Sequence, residues 1–249
     1  MKLDDVKKLH QKKYRTQLGY YLIEGEHLIL ECYNAFQQGR LDLHSQPLFL
    51  YVTAEHVAWA ESLNAVFSIK VVNDKQMKVI SDTKSPQGMV ACVPLSQATS
   101  QQKTPTQMRF VYLHEVQDPG NLGTILRTLG WFGQFTLLLS PNSVDPYNAK
   151  VVRASMGAIF HVPVELDVTF QQLTARFTNF AYLDMQGKPI QAPDFKAFAC
   201  YLFGNEARGV PHELLANTEA QAFTIGGSGE IDSLNLGSAV SMSVYELAR

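Results

Sequence analysis

The chain has 249 residues, 46% of them hydrophobic and 18% charged, with a formal net charge of −2. Such a balance suits a globular protein with one large core or two modest ones, and excludes a disordered or strongly basic chain. No apolar run reaches the length of a membrane span, residues 1–15 lack the apolar stretch of a signal peptide, and Cys32, Cys92 and Cys200 show neither disulfide nor zinc spacing, so the expectation is a cytoplasmic protein with no membrane and no metal.

Residues 1–15 carry Lys2, Lys7, Lys8, Lys12, Lys13 and Arg15 against Asp4 and Asp5. The run reads either as a solvated helix or as a short arm that attracts phosphates despite a pI of about 6.4. Strands are predicted over Tyr20–Ile23, Leu48–Val52, Phe67–Val72 and Met89–Val93. Helices alternate with them over Glu26–Gln38, Glu55–Leu63 and Asp74–Ile80. Residues 96–107, SQATSQQKTPTQ, are polar without apolar periodicity and read as a linker between domains at 1–95 and 108–249. Beyond it, strands are predicted over Arg109–Val116, Phe135–Leu139, Phe180–Asp184, Phe198–Phe203 and Phe223–Ile225. Helices are predicted over Leu122–Phe132, Val151–Phe160, Phe170–Phe177 and Ser238–Ala248, and Pro211 suits the first turn of another. Leu122, Ile125, Leu126, Leu129 and Phe132 form one apolar stripe, with Gly133 placed to cap the helix. The alternation predicts two α/β domains, the second mostly parallel.

Several signatures are missing. There is no GxxxxGK[ST] phosphate loop, no GxGxxG fingerprint and no zincin histidine pair, and Gly226–Glu230 fails the GxSxG pattern at its last position. Three strand-to-loop segments remain. In the first, Asp118-Pro119-Gly120-Asn121 lets the backbone turn sharply between strand and helix. Asn121 there reads as a helix cap or as a ligand-facing amide, and Arg127 lies off the apolar stripe as a solvated or a functional cation. In the second, a strand ends in Gly204-Asn205-Glu206, an ordinary turn or a carboxylate at the strand end where open α/β sheets meet ligands. In the third, a glycine-rich loop leads to Ser233-Leu234-Asn235, which opens the last helix with free backbone N–H groups.

In this order the segments resemble the three signature motifs of the SpoU (TrmH) family of SPOUT RNA methyltransferases. The N-x-G-x-x-x-R-T motif matches Asn121 to Thr128, G-N-E-x-x-G matches Gly204 to Gly209, and S-L-N matches Ser233 to Asn235. The middle region Asp145–Val164 is also similar, and Lys13–Ile29 and Ser85–Val93 resemble the family's N-terminal substrate-binding domain. The chain departs from the family where Ile225 is followed by Gly226 instead of proline, and where Leu236-Gly237 replace Val-Ser after Asn235.

The resemblance implies a C-terminal trefoil-knotted α/β domain, an exception to the usual absence of knots, beside a smaller L30e-like α/β domain that binds RNA. It implies transfer of a methyl group from S-adenosylmethionine to a ribose 2′-hydroxyl, in ribosomal RNA or tRNA, by a homodimer. Arg127, Asn121, Glu206, Ser233 and Asn235 are then the expected catalytic set. Gly204, Asn205, Glu206, Gly209, Ile225, Leu234 and Asn235 are expected at the cofactor. Guanidinium is not deprotonated in proteins, so Arg127 is expected to bind phosphate and stabilise a developing alkoxide. The rival reading is a catalytically silent RNA-binding or ribosome-assembly protein, against which the complete polar set argues.

Overall fold

The computed structural model describes residues 1–41, 46–95, 108–231 and 233–249. The linker expected at 96–107 lies outside the described residues. The elements begin with α1 (Leu3–Lys8), α2 (Lys12–Leu18), β1 (Tyr20–Glu24), α3 (Glu26–Gln37), β2 (Leu48–Val52), α4 (Val57–Glu61), β3 (Phe67–Val71), α5 (Asp74–Ile80) and β4 (Met89–Pro94). There follow β5 (Arg109–Leu113), α6 (Pro119–Phe132), β6 (Phe135–Leu139), α7 (Ala149–Ser155), β7 (Val164–Glu165), α8 (Phe170–Arg176), β8 (Ala181–Pro189), β9 (Cys200–Phe203), α9 (His212–Leu215), β10 (Gln221–Thr224) and α10 (Leu236–Ala248). Two compact units result, Met1–Thr99 with Asp145–His161, and Ser100–Val144 with Val162–Arg249. Among the described residues no helix is long and apolar enough to cross a membrane.

In the first unit four strands lie in the order β1-β4-β2-β3. β4 runs antiparallel to β1 and β2, and β2 is parallel to β3. A reciprocal capping box between Asn73 and Gln76 starts α5, and its Met77 and Ile80 close over Val6, Leu9, Tyr51 and Cys92. Arg15 is not part of a solvated basic arm. It is 5% exposed, with Nε and Nη2 donating to one Asp145 carboxylate oxygen at 3.0 and 2.5 Å and Nη1 donating to the Leu9 carbonyl at 2.9 Å. Asp145 begins the segment that the sequence reading places in the second domain and that packs instead in the first. There the Tyr147 ring lies 4.8 Å from that of Tyr21, and Arg153 pairs with Asp82 at 2.9 Å. The helix expected over Val151–Phe160 ends at Ser155, because Met156 and Gly157 take φ of 50° and 91° before a short 3-10 turn, Ala158–Phe160.

In the second unit six strands lie in the order β10-β8-β9-β5-β6-β7, and every pairing is parallel. Tyr112, Leu138 and Leu202, from three adjacent strands, share one apolar cluster with Leu173 of α8 and Leu215 of α9. α6 and α10 pack against each other, joined by a 2.8 Å bond between Thr128 Oγ1 and Ser241 Oγ. β5 stops at Leu113, short of the expected Val116, because the chain turns through Glu115 at φ 51°. β7, two residues long, escapes pattern reading altogether.

Candidate active site

The parallel sheet brings the C-terminal ends of β5, β9 and β10 to one edge, where the loops after them converge. After β5 the N-cap of α6 is Asp118, whose carboxylate accepts from the Asn121 backbone at 2.7 Å, and Pro119 follows in the first turn. Asn121 is therefore not the cap, and its side chain is free for another task. Leu122, Ile125, Leu126 and Leu129 bury the helix face, and Gly133 ends it at φ 68°.

Asn121 joins the three segments. It is 9% exposed, its Nδ2 donates to Glu206 Oε1 at 3.2 Å, and its Oδ1 accepts from Asn235 Nδ2 at 2.8 Å. Glu206 also accepts from the backbone N–H groups of Gln117 and Asp118, each at 3.1 Å. Asn235 caps α10, with its Oδ1 accepting from the Ser238 N–H at 3.2 Å. Each amide thus donates with one arm and accepts with the other, which fixes its orientation. Partial burial alone pushes the Glu206 carboxyl upward. The N–H groups of Asp118 and Gln117 and the Asn121 amide outweigh that effect and hold it below the usual glutamate value. Glu206 is accordingly a weaker base than an ordinary glutamate and a steady acceptor at neutral pH.

The loop that presents Glu206 is tightly built. Asn205 is 6% exposed, its Nδ2 donates to the Glu115 carbonyl at 2.6 Å, and its Oδ1 accepts from the Ala207 and Arg208 N–H groups. The backbones of Asn205 and Gly209 exchange two bonds of 2.9 Å, with Gly209 at φ 68°. Gly204 lies so close to the Gly209 carbonyl and the Val210 nitrogen that a Cβ there would overlap both.

The other expected residues stand apart from this network. Arg127 is exposed on α6 and makes no hydrogen bond or ion pair among the described residues. It lies six residues past Asn121, about 9 Å along the helix axis. Ser233 is exposed, Leu234 is 42% exposed, and Ile225 is half-buried just beyond β10. The structure therefore brings Asn121, Glu206 and Asn235 together and leaves Arg127 and Ser233 at the surface. Sequence reading missed Gln117 and Asp118. The Asp-Pro pair is a cap signal that identifies Asp118, whereas the backbone N–H of Gln117 leaves no trace in residue type. Among the described residues no group of three or more His, Cys, Asp or Glu side chains is placed to hold a metal ion.

Comparison with known proteins agrees with this geometry. The model of the SpoU rRNA Methylase family matches residues 108–245, and that of the MRM3-like substrate binding domain matches residues 2–91. The chain is 30% identical over 252 residues to the 23S rRNA (guanosine(2553)-2'-O)-methyltransferase RlmP of Bacillus subtilis (strain 168), covering 99% of this chain and 95% of that one. It is also 30% identical over 158 residues to the mitochondrial rRNA methyltransferase 3 of Homo sapiens, covering 61% of this chain and 36% of that protein. Among solved structures, the AdoMet-bound rRNA methyltransferase from Sinorhizobium meliloti superposes with a TM-score of 0.80 at 26% identity, covering 98% of this chain and 93% of that one. The SpoU methyltransferase AviRb from Streptomyces viridochromogenes shares the fold, with a TM-score of 0.79 at 21% identity and coverage of 99% and 96%. With one family model spanning more than half of its length and a relative matching it almost from end to end, the chain belongs to the SpoU rRNA methylase family.

Proposed function

We propose that the protein transfers the methyl group of S-adenosylmethionine to a ribose 2′-hydroxyl of ribosomal RNA. The chain of hydrogen bonds Glu206–Asn121–Asn235 carries this reading, because it ties together all three family motifs through the side chains those motifs specify. The names of the two relatives favour ribosomal RNA over tRNA. The complete network also disfavours a silent RNA-binding protein, which would need none of it.

The residues beyond β9 and β10 fit the cofactor. Ile225 and Leu234 offer apolar surface for an adenine ring, and open space surrounds the Cα atoms of Gly226 and Gly227 where a side chain would otherwise stand. Gly204, Asn205 and Gly209 fix the loop against which the nucleoside would rest. The bound cofactor supplies an electrophilic methyl carbon on a sulfonium. Catalysis is then a matter of holding the ribose oxygen in line and stabilising charge on it. Arg127 is free to donate to the RNA phosphate and to that oxygen. Asn121, Glu206 and Asn235 position the loops, and Ser233 and Asn235 orient the substrate at the start of α10.

We further assign residues 1–95 to RNA binding and 108–249 to chemistry, the latter carrying the trefoil knot of the SPOUT fold. A homodimer in a reducing cytoplasm completes the proposal, and the three buried free cysteines suit such a compartment. The test is methyl transfer from labelled cofactor to ribosomal RNA and to tRNA, with 2′-O-methyl sites mapped in RNA from cells with and without the gene. Transfer to the ribose of ribosomal RNA is expected, and identical methylation maps would overturn the assignment.

A further inference from the structure

A polar cleft adjoins the hydrogen-bonded network and shares Gln117 with it. It opens between the loops after β5, β6 and β9 and is lined by Glu115, Gln117, Asn142, Asn205, Ala207 and Arg208. β5 and β9 are neighbours, with β6 and β7 on one side and β8 and β10 on the other. Open α/β sheets meet their ligands in crevices at such reversals of strand order. The floor is built from fixed groups: the Gln117 side-chain amide donates to the Glu115 carbonyl at 3.1 Å and to the Asn142 carbonyl at 2.7 Å. Glu115 and Asn142 are held at φ of 51° and 65°, a region side-chain-bearing residues rarely adopt. The Glu115 carboxylate faces Asn142 Nδ2 at 3.4 Å and pairs with Arg208, whose side chain is 67% exposed against 24% for Glu115. Next to Glu115 in the chain, the Nδ1 atom of His114 is buried with no hydrogen-bond partner among the described residues.

We propose that this cleft reads a guanine base of the RNA, with Glu115 accepting from the base edge and Arg208 leaving Glu115 to cover the base face or the adjoining phosphate. The inference rests on the RNA-methyltransferase reading above. A carboxylate has two acceptor oxygens side by side and no donor. Guanine alone among the four RNA bases presents a ring N–H next to an amino group on its Watson–Crick edge. Adenine and cytosine place a ring lone pair beside the amino group, and uracil flanks its N–H with carbonyls, so each meets the carboxylate with repulsion. An exposed guanidinium is suited to stack on a splayed base. The position suits the chemistry too. The Gln117 side-chain amide helps form the cleft floor while its backbone N–H bonds Glu206, so a base held there sits beside the catalytic network.

The test uses the full chain and three labelled pentaribonucleotides, UUGUU, UUIUU and UUAUU, with binding followed by fluorescence anisotropy. Inosine differs from guanosine only by lacking the amino group. Guanosine should bind about tenfold more tightly than inosine or adenosine, the scale of one hydrogen bond to a charged group. E115Q should equalise the three, and R208A should weaken all of them by a similar factor. Equal binding of guanosine and inosine by the unmodified chain, or discrimination that survives E115Q in a protein shown to be folded by its thermal transition, overturns the proposal. Should E115Q not fold, the comparison of the three RNAs on the unmodified chain still decides it. Methyl transfer is measured in parallel: discrimination without transfer upholds the base site and removes the enzymatic reading, and transfer without discrimination does the reverse.

Discussion

Glu206 sits at the surface, yet three donors converge on it from the loop after β5 and the first turn of α6. Partial burial raises its pKa, and the N–H groups lower it further than burial raises it. Because the folded value lies below the unfolded one, the carboxylate's contribution to stability is present above about pH 4.3 and is lost as pH falls through the folded value. Glu206→Gln, which keeps a single acceptor oxygen, should therefore lower stability at neutral pH and flatten its decline in acid. Urea unfolding at a series of pH values checks this, and parallel curves for the two proteins would count against it. Arg127 invites the opposite kind of experiment, since no hydrogen bond or ion pair holds it among the described residues. Arg127→Ala should leave the thermal transition and cofactor affinity unchanged while lowering the single-turnover rate by about 10²–10³, the scale of losing one donor to developing charge. Arg127→Lys should recover only part of that, because an ammonium lacks the forked contact to phosphate. A near-normal rate for the alanine variant would return Arg127 to the role of a solvated helix residue.

Among the elements, α7 and its flanks show what one buried ion pair can organise. Arg15 ends up buried because its aliphatic stem packs in the core and its head finds both Asp145 and the Leu9 carbonyl. Removing the acid leaves a guanidinium without its counterion, so Asp145→Ala should cost about 3–5 kcal/mol in denaturant unfolding. The double variant R15M/D145L should recover much of that, because an apolar pair of similar volume avoids desolvating charge. A single variant within about 0.5 kcal/mol of the parent, the range of ordinary surface substitutions, would show the pair to be incidental. Local pattern carried most elements: Leu48–Val52, Asp74–Ile80 and Phe135–Leu139 match their expected bounds, since alternation, caps and glycines are all local signals. What the pattern missed was set by distant partners or backbone. β5 ends just before Glu115 turns left-handed, α7 ends at Ser155 because Met156 does the same, and Asp145–His161 joins a unit formed by residues far upstream. In the site, Asn121, Glu206 and Asn235 were legible from motif order. Their direct linkage was not, because a hydrogen bond across 85 or 114 residues of separation has no local signature.

At the scale of the whole molecule, we propose that the surface of α6 and α10 meets a second copy of the chain. On α10, Ser238, Met242 and Tyr245 recur at helical spacing and all face solvent, Met242 at 44% and Tyr245 at 58% exposure. On α6, Thr124, Arg127 and Trp131 share one exposed face, with Trp131 at 84%. Phe132 and Tyr245 sit edge to face at 6.3 Å, so the two helices present one apolar surface. Such patches on a single chain mark contact sites, and a tryptophan is the residue type that most often anchors them. A twofold contact would set each helix pair against its twin, an isologous arrangement that closes on itself. It would also place Arg127, one turn before Trp131, at the rim of the interface. Dimerisation and catalysis should then fail together. The double variant W131E/M242E should be monomeric yet folded, because both side chains already face solvent, and it should keep cofactor binding while losing most methyl transfer. Light scattering at micromolar concentration, with turnover measured on the same fractions, provides the check. A mass of 27.8 kDa for the unmodified chain would exclude the dimer, and a monomeric variant with full activity would separate Arg127 from the interface.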